Sequence, residues 1–263
     1  SVCGAMAPMV GHPNSPVIME PIFAIDMHVR ALSTASLSAM ADIMRATHLD
    51  EAIFASLCRE SDMYHVLQRC AILVSRMALT MPPPMFHDMV RATASWPDLC
   101  RRLISTSATL SHARSRKLVA LGLAHMLRHA SAQDKGLLSA VPDMIGMWTE
   151  VVGEVVEDEA GSADRYEREM SPTRALEIGE DGIPFLDEFG LIEAAPTPSS
   201  ARTDAVRSRD PSFNVPLRAY VADTLNAVLQ NGSYKTQLQS LLATIDPLVL
   251  DTLQRGLSER PVA

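Results

Sequence analysis

Apolar residues recur at helical spacing through most of the chain. Residues 34–46 place Leu37, Met40 and Met44 on one stripe, at intervals of three or four residues. Residues 234–245 carry a second stripe of this kind, made of leucines and an isoleucine. No segment alternates apolar and polar residues between hairpin turns, which is the pattern of a half-buried strand. The pattern therefore predicts an all-α chain.

Prolines and capping residues divide this pattern into separate helices. The proline run at 82–84 ends one helix, and Asp246 followed by Pro247 begins the last one with a cap and a first-turn proline. Several prolines interrupt residues 1–30, so only short helical pieces and loops are predicted there. One helix is predicted to begin near Met85. The other predicted helices span residues 34–46, 49–59, 61–79, 97–107, 111–129, 134–156, 215–230, 234–245 and 247–258.

The segment SRKLVALGLAHMLRHAS, at 115–131, predicts how these helices pack. It has almost no polar face over residues 117–127, so several of its sides must be covered. A stack of antiparallel helix pairs achieves this, because each pair packs against the pair before and the pair after. The spacing from 61–79 to 111–129 and on to its partner at 134–156 is close to the ~40–47 residues of a HEAT or armadillo-type repeat. We therefore expect an α-solenoid of HEAT/armadillo-like antiparallel helix pairs, and a single closed bundle is the alternative.

The composition agrees with a helical fold and limits the classes of molecule that the chain is expected to bind. The chain is 47% hydrophobic and 5% aromatic, a balance that favours helices because β-branched and aromatic residues dominate strands. Its net charge of −8 argues against a nucleic-acid surface and suits basic protein partners instead. No apolar run approaches the ~18–20 residues that a membrane-spanning helix needs, so membrane insertion is not expected.

Four cysteines, Cys3, Cys58, Cys70 and Cys100, show no CxxC spacing. We interpret them as reduced, mostly buried thiols of an intracellular protein. The sequence begins at Ser1 with no initiator methionine and no signal peptide, and we expect it to be a piece of a longer protein.

An acidic segment interrupts the helical pattern. Between Glu157 and Glu193 there are twelve Asp or Glu residues and three Arg residues, which leaves the rest of the chain close to neutral. Residues 157–210 are also rich in turn formers, and we predict that they form a largely disordered acidic insert. This insert separates HEAT-like helical repeats at 1–156 from a C-terminal helical repeat and capping helix at 211–263.

The role of the acidic insert has more than one interpretation. It can be a solvated loop that tolerates length, or an arm that engages a basic partner with apolar anchors inside a negative field. Its apolar residues can equally fold back and pad the surface of the solenoid. The candidate partner-binding residues are Glu157, Asp158, Glu159, Phe185, Asp187, Glu188 and Phe189.

The sequence shows no catalytic constellation. His125 and His129 share a helix face at the spacing of a two-histidine metal site, but Met126 stands where a zinc protease carries glutamate. No spacing suggests a third ligand, and a location near the carbonyl end of the helix explains His129 better. There is no GxSxG, P-loop or dinucleotide-binding glycine pattern. We therefore expect no enzyme activity, no metal and no cofactor.

Two stretches resemble a known family. ARSRKLVALGLAHML (113–127) is similar to the helix that opens the penultimate repeats of importin-β-type karyopherins, where an Arg-Lys-Leu step precedes a buried helix rich in alanine and leucine. RDPSFNVPLRAYVADTLNAVLQNGSYKTQLQSLLATIDPLVLDTLQRGL (209–257) resembles the extreme C-terminus of the importin-eleven branch, called karyopherin one-twenty in yeasts. The acidic insert matches that branch in position. The likeness covers approximately residues 60–259 and departs after Tyr234, where polar residues follow the aromatic.

The resemblance implies a nuclear transport receptor that carries protein cargo through the pore and is switched by Ran-GTP. In such receptors the main Ran-binding surface lies in N-terminal repeats, which we expect this chain to lack. The C-terminal repeats would help to cradle cargo, expected to be basic, or to close the solenoid. Nucleoporins would be further partners, and the receptor would shuttle between nucleus and cytoplasm. The alternative is a helical-repeat scaffold for protein assembly with no link to nuclear transport.

Overall fold

A computed structural model describes residues 19–32, 34–59, 64–131, 133–134, 136–161, 210–231 and 234–258 of the chain. These residues form helices and connecting turns, and no strand occurs among them. A 3₁₀ turn, Leu138–Ala140, precedes α8. The α-helices are α1 (Met19–Ala31), α2 (Thr34–Ala46), α3 (Leu49–Cys58), α4 (Tyr64–Thr80), α5 (Pro83–Thr93), α6 (Trp96–Ser107), α7 (Ala113–Arg128), α8 (Val141–Gly161), α9 (Pro211–Asn214), α10 (Leu217–Gln230), α11 (Lys235–Leu242) and α12 (Pro247–Ser258).

The helices lie in two rows. The first row contains α1, α4, α7 and α10 in that order, and the second contains α3, α6, α8 and α12. Each helix of a row packs against the next one, so that α4 contacts both α1 and α7. The α2 and α5 helices, the 3₁₀ turn and α11 connect the rows, which makes three elements per unit, as in armadillo-type repeats. Such a stack is an α-solenoid, and the predicted fold class is confirmed.

Most predicted helices have nearly the predicted bounds, and the exceptions have local causes. The α1 helix is longer than the pieces predicted for residues 1–30, because Pro21 lies in its first turn, where no backbone N–H is required. The predicted helix start at residue 134 is wrong, since the Asp134 side chain folds the backbone before it into a turn and the α-helix begins at Val141. That helix, α8, also continues beyond its predicted end to Gly161.

The α7 helix lies at the centre of the solenoid. It contacts α4 and α10 in its own row and α6 and α8 in the second row, as well as the short α9. Every residue from Leu118 to Ala124 is buried. Trp148 of α8 is fully buried beside this run and donates its Nε1–H to the backbone oxygen of Ala120 (3.1 Å). Neighbours on several sides therefore explain why the sequence of α7 is apolar nearly all round.

The first-row helices α4 and α7 approach closely at two small residues. A Cβ atom built on Gly122 would lie 2.8 Å from the Cβ atom of Ser75 and 2.9 Å from its Cα atom. Because the nearest atoms belong to the backbone and the first side-chain carbon, they cannot rotate out of the way. Any larger residue at 122 must push the two helices apart.

We expect Gly122→Ala to destabilise the solenoid although alanine is the better helix former. Overpacking against α4 costs about 1–3 kcal/mol, which exceeds the gain of up to about 1 kcal/mol in helix propensity. Gly153→Ala in α8 is the matched control, because a Cβ atom there has no neighbour within 4 Å. Urea unfolding followed by circular dichroism should show a loss of stability for the first variant and a gain for the second. A Gly122→Ala variant as stable as the control would show that α4 and α7 move apart at no cost.

Candidate partner-binding site at the ends of the acidic insert

The candidate partner-binding residues lie in the acidic insert, of which the structure describes the two ends. The backbone of Glu157, Asp158 and Glu159 lies in the last turns of α8. At the other end, the first residue described is Asp210. Outside the described residues lie Phe185, Asp187, Glu188 and Phe189.

The acidic insert leaves the solenoid from α8, which is held against the start of α7 by charge. Arg116 of α7 donates from Nη2 to Oε2 of Glu150 (3.1 Å) and from Nη1 to Glu154. The Arg116 side chain is largely buried, whereas the Glu150 side chain is exposed. These bonds hold α8 just before Glu157, so its last turns extend from a fixed position into the acidic insert.

The chain returns to the solenoid at Asp210, which belongs to a buried group of four charges. We call Asp26, Arg30, Arg76 and Asp210 the Arg76 cluster. Arg76 of α4 donates from Nε to Asp26 of α1 (2.7 Å) and from Nη1 to Asp210. Arg30 of α1 donates to Asp26 (3.0 Å) and lies 3.9 Å from the Asp210 carboxylate. Each of the four residues is at most 5% exposed.

The Arg76 cluster is electrically balanced, with two guanidinium groups and two carboxylates. Burial by itself raises the pKa of Asp210, but Arg76 and Arg30 offset this, and the resulting pKa lies below the ordinary value. Burial lowers the pKa of Arg76, while Asp26 and Asp210 raise it more, so the resulting pKa lies above the ordinary value. Arg76 and Asp210 therefore keep their charges, and each depends on the other to offset its desolvation.

Asp210 also begins the short helix α9. Its Oδ1 atom accepts hydrogen bonds from the backbone N–H (3.0 Å) and the hydroxyl (2.8 Å) of Ser212, and Pro211 occupies the first turn. The α9 helix packs against α7, where the guanidinium carbon of Arg114 lies 4.1 Å from the centroid of the Phe213 ring. Through Asp210 and α9, the return of the chain from the acidic insert is thus tied to α1, α4 and α7.

The residues of the Arg76 cluster are absent from the sequence-based prediction of the site. One signal was available, since Arg76 interrupts the apolar run CAILVSRMAL and is therefore a charge at a core position. The order Asp210, Pro211, Ser212 likewise indicates a helix cap. The pairing itself leaves no local pattern, because Arg76 and Asp210 are 134 residues apart.

Another buried carboxylate, that of Asp134, joins the units that contain α4 and α7. Its oxygens lie 3.0 Å from His87 Nδ1 and accept hydrogen bonds from Arg91 (3.0 Å), Trp96 Nε1 (3.1 Å) and the Ser131 backbone N–H (2.7 Å). Burial raises the pKa of Asp134, but the bonds from Ser131 and His87 offset this and the resulting pKa is below the ordinary value. These contacts hold α5 and α6 to the loop after α7.

The two histidines at metal-site spacing have other neighbours. Nδ1 of His125 lies 2.5 Å from the Tyr220 hydroxyl on α10, and the ring centroids of His125 and His129 are 4.5 Å apart. His129 is the C-cap residue of α7, which agrees with its predicted location near the carbonyl end of the helix. In the part of the chain that the structure describes, no three His, Cys, Asp or Glu residues are grouped to hold a metal ion. His125 thus links α7 to α10.

We expect the stability of the solenoid to fall as the pH is lowered from 7 to 5. Burial, together with the charges of His129, His87 and Arg128, lowers the pKa of His125 from 6.5 to about 4. The unfolded chain therefore binds a proton that the folded chain excludes. This contribution to stability is complete above pH 6.5 and declines towards pH 4, at up to about 1.4 kcal/mol per pH unit.

The matched variant for this pH effect is His125→Asn, whose amide does not titrate. Urea unfolding of both proteins at pH 7 and pH 5 measures the difference. The variant should lose less stability than the parent between the two pH values, by roughly 2 kcal/mol at most. Equal losses in the two proteins would contradict the assignment of the pH effect to this residue.

The described cysteines, Cys58, Cys70 and Cys100, carry free thiols. Burial raises the pKa of Cys70 and of Cys100 to about 12, so both thiols stay protonated and unreactive near neutral pH. The interpretation as free, mostly buried thiols is confirmed for these residues, and Cys3 lies outside the described part of the chain.

The fold and these contacts define the chain as an all-α helical-repeat protein. Among the described helices, none has the length and apolar character needed to cross a membrane. A family described as "Importin-11-like, TPR repeats" matches residues 9–258, and the chain belongs to this family of karyopherin-type transport receptors. The predicted resemblance is confirmed. The family match begins at residue 9, whereas the likeness predicted from the sequence began near residue 60. The comparisons with curated proteins and with solved structures gave no match.

Proposed function

We propose that this chain is the C-terminal part of a nuclear transport receptor that binds protein cargo for Ran-GTP-dependent import. Membership of the importin-11-like family supports this function. The helical repeats at 1–156 and 211–263 would form the frame, and the acidic insert at 157–210 would be the arm that meets the cargo. One observation carries the proposal: a strongly acidic segment is attached at two fixed points to a solenoid that is otherwise close to neutral.

The cargo of this arm is a basic protein. Twelve carboxylates between Glu157 and Glu193 create a negative field that attracts Lys- and Arg-rich surfaces. Within that field, Phe185 and Phe189 supply apolar anchors. The acidic contacts would set the rate of encounter, and the aromatic contacts would slow dissociation.

The other partners follow from the family. The receptor would release its cargo on binding Ran-GTP, mainly through repeats outside this chain, and would contact nucleoporins as it shuttles between nucleus and cytoplasm. The proposed function gives this chain no cofactor and no direct nucleic-acid partner.

Binding of an oligolysine peptide tests the acidic arm. We expect the chain to bind oligolysine and not oligoglutamate, and we expect the affinity for oligolysine to fall at least about tenfold between about 50 and 300 mM NaCl. Isothermal titration calorimetry measures both effects. Oligolysine should bind less tightly to a variant in which five carboxylates of the insert are neutralised; its changes are Glu157→Gln, Asp158→Asn, Glu159→Gln, Asp187→Asn and Glu188→Gln.

The matched control neutralises five exposed carboxylates elsewhere and should bind as the parent does; its changes are Asp42→Asn, Glu51→Gln, Asp88→Asn, Asp98→Asn and Asp251→Asn. Affinity that does not depend on the salt concentration, or that is equal in the two variants, would refute the electrostatic role of the insert.

A pull-down with the full-length receptor tests the transport function. Cargo retained equally with and without Ran locked in its GTP form would favour an assembly scaffold instead.

A further inference from the structure

We propose that Asp210 is a latch that couples α9, where the chain returns from the acidic insert, to the joint between the first two described units of the solenoid. The joint is the contact between α1 and α4, and it contains the buried side chains of Asp26, Arg30 and Arg76. These three residues by themselves carry one net positive charge. Asp210, which comes from a distant part of the chain, supplies the carboxylate that balances it.

Withdrawal of Asp210 would open the joint, because the remaining groups cannot replace its carboxylate. Asp26 already accepts bonds from both arginines, from Arg76 at 2.7 Å and from Arg30 at 2.8 Å. Arg76 is 1% exposed, so water does not reach its guanidinium group while α1 and α4 stay packed. Without Asp210, the buried guanidinium of Arg76 keeps only the Asp26 carboxylate that it shares with Arg30. This arrangement is strongly unfavourable, and separation of α1 from α4 would hydrate the guanidinium.

The same withdrawal would release α9. The Oδ1 atom of Asp210 caps this helix through Ser212, while its Oδ2 atom accepts from Arg76. One carboxylate therefore holds both the joint and the segment that leads into α10. Because the two contacts share one side chain, we infer that the α1–α4 joint and α9 loosen together and not one after the other.

Hydrogen–deuterium exchange of the Asp210→Asn variant tests the latch. Asparagine keeps the shape and the capping ability of the residue and removes only the charge. We expect amides of α1 and α4 to exchange on the order of 100-fold faster than in the parent, while amides of α8 and α12 change little. Ser212→Ala is the control, because it removes a hydroxyl contact with Asp210 and leaves the carboxylate on Arg76. Faster exchange in α9 alone in the Asp210→Asn variant would reduce the residue to a helix cap and overturn the latch.

A second measurement covers the case in which Asp210→Asn fails to fold. Exchange of the parent protein in low, rising concentrations of urea shows which segments open together. The latch requires the amides of α1, α4 and α9 to share one opening free energy and one denaturant slope. If α9 opens at a lower free energy than α1 and α4, the coupling does not exist.

Discussion

Arg76→Met is expected to lower the free energy of unfolding by about 3–5 kcal/mol. Methionine fills much of the same space, so the loss comes from charge and not from volume. The substitution leaves the carboxylates of Asp26 and Asp210 buried with Arg30 as their remaining cationic neighbour in the cluster. Arg30 bonds Asp26 but lies 3.9 Å from Asp210, too far for a hydrogen bond. Urea unfolding followed by circular dichroism measures the effect.

The matched control is Arg101→Met, which makes the same change at the surface. The Arg101 side chain is 70% exposed and pairs with exposed Asp98, so water replaces the lost contact and the unfolding midpoint should hardly move. Replacing both buried partners, with Arg76→Met and Asp210→Leu together, should recover part of the loss, since apolar groups need no counter-charge. If Arg76→Met is no less stable than Arg101→Met, the Arg76 cluster does not hold the first units together.

Trp148→Ala is expected to cost about 3–5 kcal/mol as well, for a different reason. The Trp148 side chain is fully buried between α8 and α7, and its Nε1–H bonds the backbone oxygen of Ala120. Removing the indole leaves a cavity between the two rows and a peptide oxygen without that donor. Exchange of the α7 and α8 amides should rise most, because these are the helices that face the cavity.

Two further variants separate the components of this effect. Trp148→Phe keeps much of the apolar volume and loses the N–H, so its stability should lie between those of the parent and Trp148→Ala. Tyr64→Ala removes an aromatic side chain that is 60% exposed and should change the stability by no more than about 0.5 kcal/mol. Equal effects of Trp148→Ala and Tyr64→Ala would contradict the placement of Trp148 in the core.

Helical periodicity in the sequence predicted most of the fold, because the apolar residues of a buried helix face recur every three or four positions. In the stripe of residues 34–46, Leu37 and Met44 are buried and Met40 is partly buried against the same core. The apolar sequence of α7 predicted neighbours on several sides, and these neighbours follow from the order of the repeats. Caps such as Asp246, which accepts a bond from the Leu248 backbone, likewise depend only on nearby residues.

The candidate site was less accessible to such reasoning. Composition predicted the acidic arm, because the net charge of a segment is counted from its residues and does not depend on the structure. The points that attach this arm depend on Arg116 with Glu154 and on Arg76 with Asp210, and the two residues of each pair come from separate parts of the chain. Two oppositely charged residues far apart in a chain have many possible partners, and no periodicity selects among them.

The sequence by itself therefore determined a stack of helical units and the place of its acidic interruption. Only the tertiary structure decided which distant charges meet, where glycine allows α4 and α7 to touch, and that Asp210 lies in the core. The physical reason is the range of the interactions. Helix formation and the facing of an apolar stripe depend on residues within a few turns, whereas the pairing of a buried charge depends on every element that packs around it.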